Sequence, residues 1–250
     1  MTFPAPARAA RKGTALWLSR GLSSHATRLY STTLARHRSV AVCGYPRSGT
    51  SWISAVLAGY YGLPVPRHYR WPQLYPQVLH THDLRLGALF RVFYLIRPPR
   101  ALFVSLFVKR YGLTDAALGP ADALRDRFTA FLQAELARPH EAPCRWSSHV
   151  SAAFDRFGAQ AMLVYSRSTD GMAKQLAHRI KGLDGQCDQT RLRKLMQVPP
   201  GTSAPTTITP PRARTFDWFD DRSEALIQAE LHRLHAICPA ARNLPLFDAE

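Results

Sequence analysis

Three short apolar runs mark the chain, the first two opening on a polar residue: Ser39-Val-Ala-Val-Cys43, Arg91-Val-Phe-Tyr-Leu-Ile96 and Ala161-Met-Leu-Val-Tyr165. Runs of this length, apolar without alternation, fit strands covered on both faces, as in a parallel sheet. A shorter strand is expected at residues 77–80. Between these runs the apolar spacing turns helical. Trp52, Ile53, Val56 and Leu57 fall on one face of a helix expected over residues 50–59. Arg97-Pro-Pro-Arg100 leads into a helix over 101–111, with Pro99 suited to a first turn. Further helices are expected at 120–138, 144–157, 169–180 and 220–237. Residues 60–77, rich in Pro and aromatics, and 198–214, with five prolines, read as irregular. Strands alternating with helices predict an α/β domain, a three-layer sandwich about a mostly parallel central sheet.

Residues 1–37 form a basic leader, helical over 14–34 or disordered, and residues 38–250 a single domain. No Asp or Glu precedes Asp83, while Arg8, Arg11, Lys12, Arg20, Arg28, Arg36 and Arg38 precede the first strand. Three readings of the leader stay open: a solvated basic tail, an organelle-targeting segment, or a basic amphipathic helix in peripheral contact with a membrane.

Composition narrows the class. The 250 residues carry 33 Lys and Arg against 17 Asp and Glu, a net charge of +16, and 46% are hydrophobic. That apolar share excludes a disordered chain, and the charge predicts an anionic partner. Cys43, Cys144, Cys187 and Cys238 form no C-x-x-C pair, so neither a disulfide framework nor a zinc site is indicated. No run nears the ~20 apolar residues of a membrane span. A cytoplasmic protein is expected, with membrane association through the leader as an open option.

The chemistry concentrates after the first strand, at Gly44-Tyr-Pro-Arg-Ser-Gly49-Thr50-Ser51. Against G-x-x-x-x-G-K-[ST] both glycines and the last hydroxyl match, while Thr50 replaces the lysine. Glycines still let successive N–H groups turn toward one oxyanion, and the following helix presents its positive end there. Without the lysine, a nucleoside triphosphatase is disfavoured and a 5′-phosphate is still served. A second anion site is suggested by Arg97 at the end of a strand and Ser105 eight residues later, a guanidinium fork and a hydroxyl.

Together these segments resemble the sulfotransferases that use 3′-phosphoadenosine 5′-phosphosulfate (PAPS). Tyr45-Pro-Arg-Ser-Gly-Thr-Ser-Trp52 is similar to that family's 5′-phosphosulfate loop, Y-P-K-S-G-T-T-W. Phe93-Tyr-Leu-Ile-Arg97 through Ser105 resembles its 3′-phosphate motif. The resemblance implies a P-loop NTPase-like fold, PAPS as donor, no metal and a hydroxyl-bearing acceptor. It implies that Arg47, Ser48, Gly49, Thr50, Ser51, Trp52, Arg97, Ser105 and Tyr165 hold the donor. Arg47, in place of the family's lysine, and Ser105 would lie at the reaction. In Leu79-His80-Thr81-His82-Asp83, the family's Lys-Thr-His segment puts the base at His82, with His80 in the lysine position and Asp83 as fallback. Pro211-Arg-Ala-Arg-Thr-Phe-Asp-Trp218 resembles the closing R-K-G-x-x-G-D-W segment without its glycines, so Arg212 and Arg214 are candidates for the 3′-phosphate.

Residues 60–75 are an expected acceptor wall, and the basic charge favours an acidic acceptor. Two competing readings are a basic nucleic-acid-binding protein, suggested by charge and aromatics, and a P-loop nucleotide kinase. Neither accounts for both phosphate motifs, and no nucleic-acid partner is expected.

Overall fold

The computed structural model describes residues 14–66, 71–86, 91–138, 145–166, 168–197 and 211–246, with side chains from residue 22 onward except 211. Four parallel strands form one sheet in the order β2-β1-β3-β4: β1 Val40–Gly44, β2 Val78–Thr81, β3 Arg91–Ile96 and β4 Met162–Val164. Every residue of β1 is buried, which is why its run is apolar without alternation.

Odd and even strand positions feed two separate cores. Val40, Val42, Phe93 and Leu95 pack with Ile53 and Leu57 of α2 (Thr50–Tyr61), Leu176 of α6 (Thr169–Asp184) and Leu192 of α7 (Gln189–Met196). Ala41, Cys43, Tyr94 and Ile96 face Phe103 and Phe107 of α3 (Pro99–Tyr111), Phe128 of α4 (Ala121–Leu136), Val150 of α5 (Trp146–Phe157) and Leu231 of α9 (Asp221–Ile237). This is the expected three-layer sandwich, its sheet wholly parallel.

The elements follow local signals. Pro99 sits at the start of α3, Asp220 and Ser223 form a reciprocal capping box on α9, and left-handed Gly62 and Gly112 end α2 and α3. Helix α6 runs to Asp184, beyond the expected residue 180. Two short helices depart from expectation. α7 lies in a stretch given no expected element, and α8 (Pro211–Thr215) occupies the end of the segment read as a loop. The rest of that loop, 198–210, lies outside the described residues, as does Cys144.

Helix α1 (Thr14–Thr32) turns a polar face to the domain: Thr27 accepts from the Gln73 backbone N–H at 2.8 Å, and Ser31 from the Gln77 amide at 2.8 Å. Among the described residues no helix is long and apolar enough to cross a membrane.

Candidate functional site

The carboxyl ends of the strands put Gly44, Thr81 and Ile96 along one edge of the sheet, where open α/β sheets bind ligands. The loop from β1 to α2 needs its glycines. A Cβ on Gly44 would stand 2.5 Å from the Leu95 carbonyl, and one on Gly49, at φ +94°, 2.9 Å from the Tyr165 ring. Arg47 also adopts a left-handed φ, 71°, a conformation unfavourable for a side-chain-bearing residue. Hydrogen bonds hold it: Arg97 donates to the Arg47 carbonyl at 3.0 Å, and Arg47 Nε to Ser105 Oγ at 3.1 Å.

Helix α2 then begins with no acidic residue in its first turn and no side-chain cap. Its leading N–H groups and positive dipole end are thus left to an anion. Ser48 Oγ and Trp52 Nε1 are buried with no hydrogen-bond partner, two further polar atoms suited to a phosphate-bearing ligand. Trp52 itself is half-buried, its indole edge-on to Tyr165 at 6.3 Å and packed on the α2 side core.

Arg97 leaves β3 with its guanidinium over the Tyr165 ring, 5.0 Å from the centroid. Ser105 is buried on α3. Arg47, Arg97, Ser105 and Tyr165 therefore meet as one group, two guanidiniums sharing a wall with a hydroxyl and an aromatic face. Burial lowers the Arg47 pKa from its ordinary value.

On the other side of β1, the two histidines after β2 take different duties. His80 Nε2 lies 2.8 Å from Thr50 Oγ1 and 3.5 Å from Ser51 Oγ, so it braces the hydroxyls at the start of α2. His82 Nδ1 lies 2.7 Å from the Gly44 carbonyl oxygen. A carbonyl only accepts, so Nδ1 carries the proton and Nε2 the lone pair. His82 is exposed as a residue. Burial around its imidazole lowers its pKa, against the Gly44 bond, which raises it. The neutral, proton-accepting form is favoured.

Asp83 is engaged elsewhere. Burial would raise its pKa, but hydrogen bonds from Arg85 and Arg28 outweigh that and hold it at about 2. Arg28 reaches it at 2.5 Å from α1, and Arg85 at 3.1 Å. A carboxylate so saturated is a weak proton acceptor.

One residue escapes the sequence motifs. His149 of α5 donates from Nε2 to the His82 carbonyl at 2.9 Å, and its Nδ1 accepts from the Tyr94 hydroxyl at 2.6 Å. The start of α5 is anchored in turn, since the buried Glu230 of α9 receives Arg145 Nε at 2.7 Å and the Ser147 N–H at 3.0 Å. A Tyr94–His149–His82–Gly44 chain thus fixes the imidazole. Nothing in the spacing of His149 signals this, because its contact is with a backbone carbonyl 67 residues away.

Arg212 and Arg214 lie exposed on α8, where Arg212 donates to the Asp115 carbonyl at 3.5 Å beyond the end of α3. Arg97 precedes the other end of that helix. In the expected acceptor wall, Trp71 is exposed and 67–70 lie outside the described residues. Among the described residues no cluster of three or more His, Cys, Asp or Glu is placed to hold a metal ion. A cavity of about 460 Å³ between α6 and α7, lined by Lys174, His178, Lys181 and Arg193, contains none of these site residues.

No family profile matches the chain, and no curated relative matches it. Among solved structures it is similar to mouse sulfotransferase SULT7A1 complexed with PAP, with a TM-score of 0.57 and 15% identity over 86% of this chain and 92% of that one. Joined to the parallel sheet and its glycine-bounded loop, that likeness gives this chain the α/β fold of a sulfotransferase.

Proposed function

We propose that the protein transfers the sulfuryl group of PAPS to a hydroxyl of an acceptor, with His82 as the base. The observation that carries this reading is the hydrogen-bonded convergence of Arg47, Arg97 and Ser105 beside the uncapped start of α2. A donor with separate 5′- and 3′-phosphates needs two such anion sites on one edge. The neighbour in complex with PAP supports the same reading.

The 5′-phosphosulfate lies against the N–H groups of 49–51 and the hydroxyls of Thr50 and Ser51. The 3′-phosphate is met by Arg97 and Ser105. His82 Nε2 takes the acceptor's hydroxyl proton as the oxygen–sulfur bond forms. The bond from sulfur to the bridging phosphate oxygen breaks, and its electron pair leaves on the 5′-phosphate. That departing charge is met by Arg47 and the positive end of α2. The phosphate leaves as an anion, so the step needs a fixed cation rather than a proton donor, a role an arginine fills. Positioning and electrostatics supply the catalysis.

Calorimetry with adenosine 3′,5′-bisphosphate tests the reading. The wild type is expected to bind, and Arg97→Ala to bind ~10–100-fold more weakly, the worth of a charge-assisted hydrogen bond. Unchanged affinity in a folded Arg97→Ala protein would sink the assignment.

A further inference from the structure

Over its described side chains, from Leu22 onward, the surface of α1 is inverted. A surface helix of a soluble domain buries its apolar stripe, but α1 buries Ser23, Thr27 and Ser31, at 6%, 0% and 0% exposure, and turns out Leu22 and Leu29, at 71% and 65%. Ser23, Thr27 and Ser31 stand four residues apart, so they form one stripe. Leu22, His25 and Leu29 form another, all exposed. The apolar stripe does not end with the helix. The 71–75 loop is pinned to α1 by the Gln73–Thr27 bond and exposes Trp71, Leu74 and Tyr75, while Leu34 is exposed just past the helix. Of the eight large apolar side chains most exposed among the described residues, six lie on these two joined segments. Such clustering marks an interaction face rather than scattered surface residues.

The charge around the face identifies what covers it. Arg36, His37 and Arg38 are exposed where α1 gives way to β1. No Asp or Glu occurs anywhere in the first 82 residues, so α1 and the loop present no acidic side chain to a negative surface. Leucines set among basic groups, with a Trp and a Tyr beside them, are the composition of an element lying in a lipid interface. A second copy of the chain would bring the same arginines, Arg36 and Arg38, together with no acidic residue from the first 82 between them, which opposes self-association.

We propose that the outward face of α1, together with the Trp71–Tyr75 loop, docks reversibly on an anionic lipid surface. Arg28 of α1 binds Asp83, next to His82, so the docked face adjoins the segment holding the imidazole. The docking itself is independent of the sulfuryl-transfer reading.

Co-sedimentation of the full chain with vesicles tests this, using phosphatidylcholine with and without about 30% phosphatidylserine. The wild type is expected to bind only the anionic vesicles, and less as salt is raised. Leu29→Asp and, separately, Trp71→Ala are expected to cut the bound fraction at least ~10-fold while leaving the thermal melt unchanged. Both side chains are exposed, and the loop variant keeps the test alive if the helix variant unfolds. Quenching of the wild type by brominated lipid, absent in Trp71→Phe, would place Trp71 in the interface. Three results overturn the proposal. One is no binding to anionic vesicles, and another is binding that neither variant weakens. The third is a wild-type dimer in sedimentation velocity that both variants dissolve, which assigns the face to a second copy instead.

Discussion

A histidine acts as a base only in the tautomer whose lone pair meets the proton, and here a backbone carbonyl sets that tautomer. The Gly44 oxygen accepts a hydrogen bond from Nδ1–H of His82, while His149 donates to the carbonyl of the same residue. The lowered pKa completes the arrangement, since the ring stays neutral near pH 7. His82→Ala is therefore expected to bind adenosine 3′,5′-bisphosphate within about twofold of the wild type and to lose ~10²–10⁴ in transfer rate. Parallel calorimetry and a transfer assay on one preparation check it, and full activity would remove His82 from the role. At this scale the sequence is legible where the candidate site is built from contiguous residues: Gly44 through Trp52 and the Arg97–Ser105 pair meet at the carboxyl edge of the sheet. His149 is not legible, because a mid-helix histidine bonded to a distant carbonyl leaves no pattern in the chain.

At the scale of elements, the junction of β1 and α2 is the most demanding piece of backbone. It combines a strand end against β3, two left-handed residues and a helix start without a cap. Gly49→Ala adds a methyl to a residue at φ +94° that already faces the Tyr165 ring. The left-handed conformation alone costs a side chain ~1–2 kcal/mol, and displacing the ring adds to it. A loss of about 2 kcal/mol or more in chemical denaturation is expected, with nucleotide affinity falling as well; a variant as stable as the wild type would mean the loop relaxes freely. The strands and long helices were readable because burial on both faces, or on one helical stripe, leaves a periodic trace. Helix α7 carries Leu192, Leu195 and Met196 at helical spacing behind the Asp188 cap, a usable but brief signal among basic residues. Helix α8 begins at a proline in a Pro-rich stretch, where composition alone suggests a loop.

For the whole molecule, the decisive feature is that among the described residues the two cores lie on opposite faces of one sheet, so groups at its carboxyl edge are tied to both. His149 belongs to the α5 side and is buried, yet it fixes a segment next to the β1–α2 loop. Burial lowers its pKa from 6.5, as does the nearby His82, while its bond to the His82 carbonyl and the Asp83 charge push the other way. His82 and His235 are shifted down as well, each chiefly by burial. The unfolded chain, with ordinary histidines, thus binds more protons than the folded one as pH falls through about 6.5. Stability is fully present above that pH and is lost progressively below it, because stability rises with pH wherever the unfolded state holds more protons. Asp83 titrates in a separate window. Its pKa of about 2 keeps its contribution intact above the ordinary carboxylate value of 3.8 and surrenders it only on further acidification. Melting temperature is accordingly expected to fall between pH 7 and pH 5, roughly the range over which ordinary histidines charge. In His149→Gln, which can still donate to the His82 carbonyl but cannot titrate, the fall is expected to be shallower. Equal slopes in wild type and variant would show that His149 does not couple the folded state to protons, and that the imidazole chain holding His82 is not what acid breaks first.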